Sequence, residues 1–171
     1  MLCNDVPRYY ESRRDWTDLT CSVCKHDYDG ATSVALGEIG LAKIEEADEV
    51  DEDELSLMLS ELGWAYRSFG DANRARELLE RALATRERVY GVDHIETSKT
   101  RFFYAQALRG LHLSENAVRE MAQAAGGLGN AFGADHHLAR KAANLATEWG
   151  ASRQSGVGSS RSRSRSRRRV G

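Results

Sequence analysis

Proline is almost absent from this chain of 171 residues, which contains one. Proline interrupts helices, and runs of β-branched residues are also rare, so the composition favours helices over a sheet. No stretch reaches the roughly 18 consecutive apolar residues of a membrane-spanning helix, and residues 1–16 lack the apolar core of a secretory signal. We therefore expect a cytoplasmic protein without a membrane partner.

Cysteine is scarce as well. Cys3, Cys21 and Cys24 are an odd number clustered near one end, which argues against a disulfide framework and for a reducing compartment. Cys21 and Cys24 with His26 have the ligand types of a zinc site, but a second Cys or His pair is missing. We treat Cys21, Cys24 and His26 as weak metal candidates and favour small unliganded thiols.

Motifs of catalysis are also missing. The sequence has no P-loop, no Ser-His-Asp order and no setting for paired carboxylates. Gly127, Gly129 and Gly133 imitate the spacing of a dinucleotide-binding loop, but no predicted strand precedes them. We expect neither enzyme activity nor a cofactor.

Negative charge is missing from the C-terminal end. Residues 153–171 contain seven arginines and no acid, so all 26 acidic residues precede them. From Gly150 onward the composition is mainly Gly, Ser and Arg, which predicts a disordered basic tail over 150–171. The Arg-Ser tract at 161–169 suits a phosphate backbone, an acidic surface or a role in nuclear import. The other interpretation is an incidental or intramolecular role.

The feature that stands out is a repeated motif. Residues 90–94 read YGVDH and residues 132–136 read FGADH, 42 positions later. At the same offset, large apolar and small positions coincide along the chain, which indicates a structural repeat. The histidines could suggest a metal or proton-transfer site, but no carboxylate lies at ligand spacing. Asp93 with Glu96 fits a capping box and Gly91 fits a left-handed helix end, so we interpret the motif as a joint.

Each unit is predicted to be a pair of helices. Residues 55–69 place apolar side chains at spacings of three and four, Gly70 and Asp71 interrupt them, and residues 72–90 form a second helix. Late in the second unit, GGLGN at 126–130 should fray its helix, because glycine is a poor helix former.

The predicted organisation has three parts. A degenerate helical segment with an acidic linker occupies 1–54; it contains a helix near 31–47, and its last aspartate, Asp53, is expected to cap the next helix. Two repeats and a capping helix occupy 55–149. The basic tail occupies 150–171.

Several positions of the first unit carry a family resemblance. They are Leu59, Leu62, Gly63, Tyr66, Ala75, Leu79 and Ala82. Their spacing resembles the tetratricopeptide repeat, and the 42-residue period with LLERALATRERVYGVDH at 78–94 is similar to the kinesin-light-chain subtype. The resemblance implies an all-α fold, a short right-handed superhelix of antiparallel helix hairpins that serves protein–protein interaction.

The resemblance also implies a binding groove, because the first helix of each unit lines the concave face of such arrays. The positions carried over by register are Ser60, Trp64, Arg67, Lys99, Phe102, Gln106 and Arg109. We expect Arg67 and Arg109 to contact anions and Trp64 and Phe102 to be apolar anchors. The alternative is that the arginines are solvated and Trp64 packs between units. The carboxylate clamp of some relatives is not reproduced, since Trp64 and Phe103 stand where it needs polar residues.

The function expected from these features is that of a non-catalytic adaptor that binds a peptide segment of a partner. The groove chemistry suits an acidic peptide with an aromatic anchor. The alternative is a nucleic-acid-associated or nuclear protein that acts through residues 161–169. Two clear repeats are few for a stable stack, so a homodimer or a longer repeat array is also expected.

Overall fold

The computed structural model describes residues 30–161, and over this range the protein is all-α, as predicted. Six helices and no strand are present in the described residues: α1 (Gly30–Glu45), α2 (Glu52–Phe69), α3 (Ala72–Tyr90), α4 (Ile95–Gly110), α5 (Ser114–Phe132) and α6 (His137–Arg161). Within this part of the chain, no helix is both long and apolar enough to cross a membrane.

The helices pack in chain order. Helices α2 and α3 form one hairpin and α4 and α5 form the next, while α1 covers α2 and α6 covers α5. Helix α3 packs on α4 between the hairpins, and α2 also contacts α4. The first helices of the two units therefore lie side by side, which is the arrangement that creates an inner face.

Small and branched apolar residues hold the hairpins together. Leu62, Ala75, Leu79 and Ala82 are fully buried, and Ala75 and Leu79 form a cluster with Ala107 of the second unit. Because alanine has a short side chain, the helices can approach closely at these positions. The family-like spacing in the sequence therefore corresponds to the contact surfaces within and between units.

The N-cap residue of α2 differs from the predicted one. The side chain of Asp51, not Asp53, accepts hydrogen bonds from the backbone N–H groups of Asp53 and Glu54, at 2.9 and 3.4 Å. Asp51 has the extended backbone of an N-cap residue, with φ −73° and ψ 112°, whereas Asp53 already lies inside the helix. At the next turn Asp71 caps α3 as expected, accepting from Arg74 N–H at 3.0 Å.

The repeated motif is a joint, but histidine caps the next helix instead of aspartate. The Nδ1 atom of His94 accepts from the Glu96 N–H at 3.3 Å, and Nδ1 of His136 accepts from the Leu138 N–H at 3.3 Å. The predicted capping box of Asp93 with Glu96 is therefore wrong, because His94 is the residue that directly precedes α4. Gly91 ends α3 with φ 89°, a positive value that favours glycine.

Two predicted helix ends are also wrong. Helix α5 continues through residues 126–130 to Phe132, and Gly127 and Leu128 of this stretch are buried. A Cβ atom on Gly127 would lie 2.0 Å from Ser98 Oγ. Helix α6 continues through Gly150 to Arg161. The buried Trp149 anchors this helix against α5, and an established helix extends at less cost than a new one forms.

Several predictions lie outside the described residues. They concern Cys21, Cys24 and His26, the N-terminal part of the 1–54 segment, and residues 162–169 of the Arg-Ser tract.

Candidate functional site

The inner face of the stack centres on a contact between α2 and α4. The ring of Trp64 on α2 lies 5.1 Å from the ring of Phe103 on α4, with their planes tilted by 58°. Trp64 keeps 37% of its surface exposed, and Phe103 is half-buried. The two rings therefore join neighbouring units and still present an apolar surface to the solvent.

A guanidinium lies over this aromatic pair. The Cζ atom of Arg67 is 4.1 Å from the centre of the Trp64 ring, a separation at which a cation and an aromatic face attract each other. Burial lowers the pKa of Arg67 from its ordinary value, although the side chain remains a cation at any physiological pH. Its Nε atom is buried and has no hydrogen-bond partner. This buried donor is therefore left unsatisfied by the described residues.

A second unpartnered donor lies on the neighbouring helix. The side-chain Nε2 atom of Gln106 is buried without a hydrogen-bond partner, and Gln106 follows Phe103 by one turn of α4. Buried polar side-chain atoms are partnered in the large majority of cases. No other described side chain that is at least partly covered has such an orphaned nitrogen or oxygen. We call Trp64, Arg67, Phe103 and Gln106 the groove cluster.

Two predicted groove residues are internal. Phe102 has 2% of its surface exposed and belongs to the core formed by α4, α5 and α6, so its role as an exposed anchor is wrong. Ser60 has 5% exposed, and its hydroxyl donates to the Ser56 carbonyl at 2.8 Å. Both residues point toward neighbouring helices, because the register places them nearer the helix contacts than the open face.

Lys99 and Arg109 have partners of their own. The Lys99 ammonium lies 2.6 Å from a carboxylate oxygen of Glu96. The Arg109 guanidinium donates to Ser114 Oγ at 2.9 Å and lies 5.7 Å from the ring centre of Trp149. Arg109 therefore binds the first residue of α5. Arg67 and Arg109, which the 42-residue repeat relates, have different surroundings. Of the seven predicted groove residues, Trp64 and Arg67 are in contact with one another, and Gln106 lies one helical turn after Phe103 on α4.

The sequence prediction chose the wrong phenylalanine. Phe103, not Phe102, contacts Trp64. Helical spacing does not distinguish the two, because Phe102 and Phe103 precede Gln106 by four and three residues and both separations place side chains on one face of α4. The 42-residue offset relates Ser60 to Phe102, which precedes Phe103 by one residue.

The inner face continues onto α6, the last described helix. A shallow open pocket there is lined by His137, Arg140, Lys141, Asn144 and Leu145. The Lys141 ammonium lies 5.8 Å from the ring centre of Phe102, which joins this pocket to the side of α4. Lys141 follows Lys99 by the same 42-residue interval as the joints.

Metal chemistry has no visible basis in the part of the chain that the structure describes. Residues 30–161 contain no group of three or more His, Cys, Asp or Glu side chains that could hold a metal ion. His136 and His137 are adjacent, with ring centres 4.3 Å apart, but His136 uses Nδ1 to cap α6. The arrangement offers aromatic surface and hydrogen-bond donors, which are means of binding.

These hairpins and their shared inner face define a helical-repeat protein. Residues 57–96 match the family model of the tetratricopeptide repeat. This stretch of the chain is similar to a tetratricopeptide repeat, and such repeats generally mediate protein–protein interaction as non-enzymatic scaffolds.

The solved structures support the same fold. Seventeen of their chains match significantly. One is BtubC (BKLC) from P. vanneervenii, a kinesin light chain-like repeat protein, with a TM-score of 0.62 and 19% sequence identity. The match covers 70% of this chain and 47% of that one, so the present chain spans about half the length of BtubC. No curated protein matches the sequence significantly.

Proposed function

We propose that the groove cluster binds an extended peptide segment of a partner protein, and that the protein is an adaptor. The observation that carries the proposal is the partly exposed Trp64–Phe103 pair with the Arg67 guanidinium over it. Arg67 Nε and, one turn after Phe103, Gln106 Nε2 are buried donors without a partner. A buried donor without an acceptor costs roughly 1–3 kcal/mol. A ligand acceptor that reaches these donors after a side-chain movement would remove that cost.

The ligand chemistry follows from the charges at the cluster. Arg67 forms no ion pair with any described residue, and it is held in place by the Trp64 ring. A carboxylate of the ligand would therefore meet a pre-positioned guanidinium, which lowers the conformational entropy lost on binding. The Gln106 amide would donate to a peptide carbonyl, and Trp64 with Phe103 would receive an aromatic or branched apolar side chain.

These contacts restrict the peptide sequences that we expect to bind. The peptide needs one acidic residue near Arg67 and one apolar anchor near Trp64, and it needs no second acid at Arg109, since Arg109 already binds Ser114. An acidic-aromatic segment on the surface of another protein satisfies these conditions.

The test is a titration of fluorescently labelled peptides that contain an acid next to an aromatic residue, against peptides with the acid replaced by lysine. We expect the acidic peptides to bind and the lysine peptides to bind at least tenfold more weakly. Arg67→Gln should weaken the acidic peptide by about 10- to 100-fold, because a hydrogen bond to a charged group is worth about 1.5–3 kcal/mol.

A matched control separates the local effect from net charge. Arg76→Gln removes one positive charge from α3, where Arg76 pairs with Glu80 at 3.3 Å, and it should leave the peptide affinity unchanged. Equal weakening by Arg67→Gln and Arg76→Gln would mean that only net charge matters and would overturn the site. Unchanged affinity in a folded Trp64→Ala variant would do the same.

A further inference from the structure

The two interfaces between successive units are built from different residue types. The first interface packs α3 and α2 against α4, and the second packs α5 against α6 with part of α4 in the same core. Four pairs of positions related by the 42-residue interval are buried at both interfaces, polar at the first and apolar at the second: Ser60 and Phe102, Arg86 and Leu128, Thr97 and Ala139, and Thr100 and Ala142. We call Ser60, Arg86, Thr97 and Thr100 the polar seam.

Hydrogen bonds hold the polar seam together. Arg86 of α3 donates to Thr100 Oγ1 of α4 at 2.5 Å. Thr100 Oγ1 also lies 3.4 Å from Ser60 Oγ of α2, and Thr97 Oγ1 donates to the Gly91 carbonyl at 2.8 Å. Hydroxyl and guanidinium groups therefore link the three helices, and water can replace each of these partners when the helices separate.

The related contacts at the second interface have no such replacement. Phe102, Leu128, Ala139 and Ala142 belong to one apolar core cluster that also contains Trp149. Exposing these side chains to water removes hydrophobic stabilisation, and no hydrogen bond compensates for it. In a repeat array each interface between neighbours makes its own contribution to stability. The first interface should therefore open more readily than the second.

The first interface is polar at one end only. Ala75 and Leu79 of α3 form an apolar cluster with Ala107 of α4. This cluster lies between the start of α3 and the end of α4, whereas the polar seam lies between the end of α3 and the start of α4. An interface of this kind can open at its polar end and stay closed at its apolar end, which is a hinge movement.

The groove cluster adjoins the polar seam. Ser60 precedes Trp64 by four residues on α2, and Thr100 precedes Phe103 by three residues on α4, which is about one helical turn in each case. The Ser60–Thr100 and Trp64–Phe103 contacts are therefore consecutive contacts between the same two helices. A ligand that touches both rings needs the two units close together.

We infer that the first interface is a hinge that opens at the polar seam in the free protein, and that a peptide in the groove cluster closes it. The closing rests on the proposed function, whereas the opening does not. Because the peptide contacts Trp64 and Phe103 together only in the closed form, its binding shifts the population toward that form. The second interface keeps the same geometry with and without the peptide.

Thiol labelling measures the opening. The full chain, with its own cysteines replaced (C3S, C21S and C24S), receives one thiol by Thr100→Cys or by Ala142→Cys, at related positions that are both fully buried. The rate of reaction with a disulfide reagent is compared with the rate that global unfolding of the same variant allows, taken from its urea curve. We expect Thr100→Cys to react at least about tenfold faster than global unfolding allows, and Ala142→Cys to react at the global rate.

Ser60→Cys is the control for the substitution itself. It reports on the seam from α2 and keeps the bond between Arg86 and Thr100, so it should also react at least about tenfold faster than global unfolding allows. Fast reaction at Thr100→Cys with slow reaction at Ser60→Cys would mean that the lost hydroxyl opened the interface, and would overturn the hinge. Reaction of both thiols at the global rate would overturn it too, whether or not the peptide binds.

Spin labels measure the closing. Leu57, Lys99 and Lys141 follow one another at the 42-residue interval, and all three side chains reach the solvent. Labels at 57 and 99 span the first interface, and labels at 99 and 141 span the second. In the free protein we expect the distribution of distances to be at least about twice as wide for the first pair as for the second. A saturating acidic-aromatic peptide should narrow the first distribution and leave the second unchanged.

The outcomes separate this inference from the proposed function. Peptide binding that leaves the 57–99 distribution as wide as before would overturn the closing and leave the groove proposal intact. Absence of peptide binding to the unlabelled protein would overturn the groove proposal and the closing with it. In that case fast labelling at Ser60→Cys and Thr100→Cys would still support the hinge.

Discussion

The imidazole of His94 lies against the ring of Tyr90, with ring centres 4.5 Å apart and planes 15° from parallel. The second joint repeats this relationship, because His136 lies 4.2 Å from Phe132 at an angle of 19°. The repeated aromatic at the end of one helix therefore holds the histidine that caps the next. Glycine between them supplies the positive φ that turns the chain, at 89° for Gly91 and 90° for Gly133.

The first prediction concerns this histidine cap. His94→Ala removes the acceptor for the Glu96 N–H and the stacking on Tyr90, so we expect the free energy of unfolding to fall by about 0.5–2 kcal/mol. His94→Asn should cost less, since asparagine is a good N-cap residue. Urea unfolding followed by circular dichroism measures both.

Asp93→Ala is the matched control for the cap. It changes the neighbouring position in the same motif and should be close to neutral, because the described structure gives Asp93 no capping bond. If Asp93→Ala costs more than His94→Ala, then aspartate is the cap and the joint has a different geometry from the one described here.

The joints show why the fold was easier to predict from the sequence than the details of its contacts. The 42-residue offset, Leu62, Ala75 and Leu79 predicted the helix hairpins correctly, because buried small and apolar residues repeat wherever helices touch. The choice between Asp93 and His94 as the cap depends on a shift of one residue. Both side chains can accept a hydrogen bond, so spacing alone does not distinguish them.

The sequence predicts which side of a helix lines the groove, but not which side chains meet there. Helical spacing places Trp64 and Arg67 on one side of α2, and the structure confirms that they are in contact. Whether Phe102 or Phe103 meets Trp64 depends on the rotation of α4 against α2, which is set by packing across several helices. Whether the buried donors of Arg67 and Gln106 find a hydrogen-bond partner depends on the positions of all the neighbouring atoms. A sequence pattern does not give those positions.

A second prediction concerns the glycines of α5. Gly127→Ala should lower the free energy of unfolding by about 1–3 kcal/mol, the usual range for an overpacked contact, because the added Cβ would lie 2.0 Å from Ser98 Oγ. Ser98→Ala in the same chain should recover part of the loss by removing that oxygen. Thermal or urea unfolding of the single and double variants measures the coupling free energy between positions 127 and 98.

Gly126→Ala and Gly129→Ala are the controls. A Cβ atom at either position would have no neighbour within 4 Å, so both should stabilise the helix by up to about 1 kcal/mol. If all three glycine variants behave alike, the close approach of α4 and α5 at Gly127 is contradicted.

A third prediction concerns Arg86, which is buried with 5% of its surface exposed. It donates to the Glu96 carbonyl at 3.1 Å and to Ser56 Oγ at 3.3 Å, and so ties α3 to α4 and α2. Forty-two residues later the equivalent position is Leu128, which is also buried. Replacing Arg86 by leucine therefore removes these hydrogen bonds and introduces the residue type that the second unit has at the equivalent position.

We expect Arg86→Leu to lower the free energy of unfolding by about 1–3 kcal/mol, because Glu96 and Ser56 lose a partner in a buried place. Leu128→Ala, a cavity-forming change at the equivalent position, should cost about 2–5 kcal/mol. Urea unfolding measures both. A neutral or stabilising Arg86→Leu would mean that an apolar contact replaces the arginine network without loss, as happens at some buried ion pairs.

The last prediction concerns pH and Tyr66. Burial, and then its hydrogen bond to Glu38 at 2.7 Å, raise the pKa of the Tyr66 phenol. The unfolded chain thus loses this proton first as the pH rises past about 10, the ordinary value for tyrosine. A group that holds its proton more tightly in the folded state contributes stability below that pH and loses it above. The free energy of unfolding should therefore decline above about pH 10.

Tyr66→Phe tests the source of the decline. The variant should be less stable than the wild type at pH 8, since it loses the bond to Glu38, and the difference should shrink as the pH is raised above about 10. Tyr104 is the comparison, because burial also raises its pKa but its hydroxyl forms no hydrogen bond to a carboxylate of the described residues. Tyr104→Phe should thus give a smaller loss at pH 8. Unfolding curves of wild type and Tyr66→Phe that stay parallel from pH 8 to above 10 would show that the Tyr66–Glu38 bond is not formed in solution.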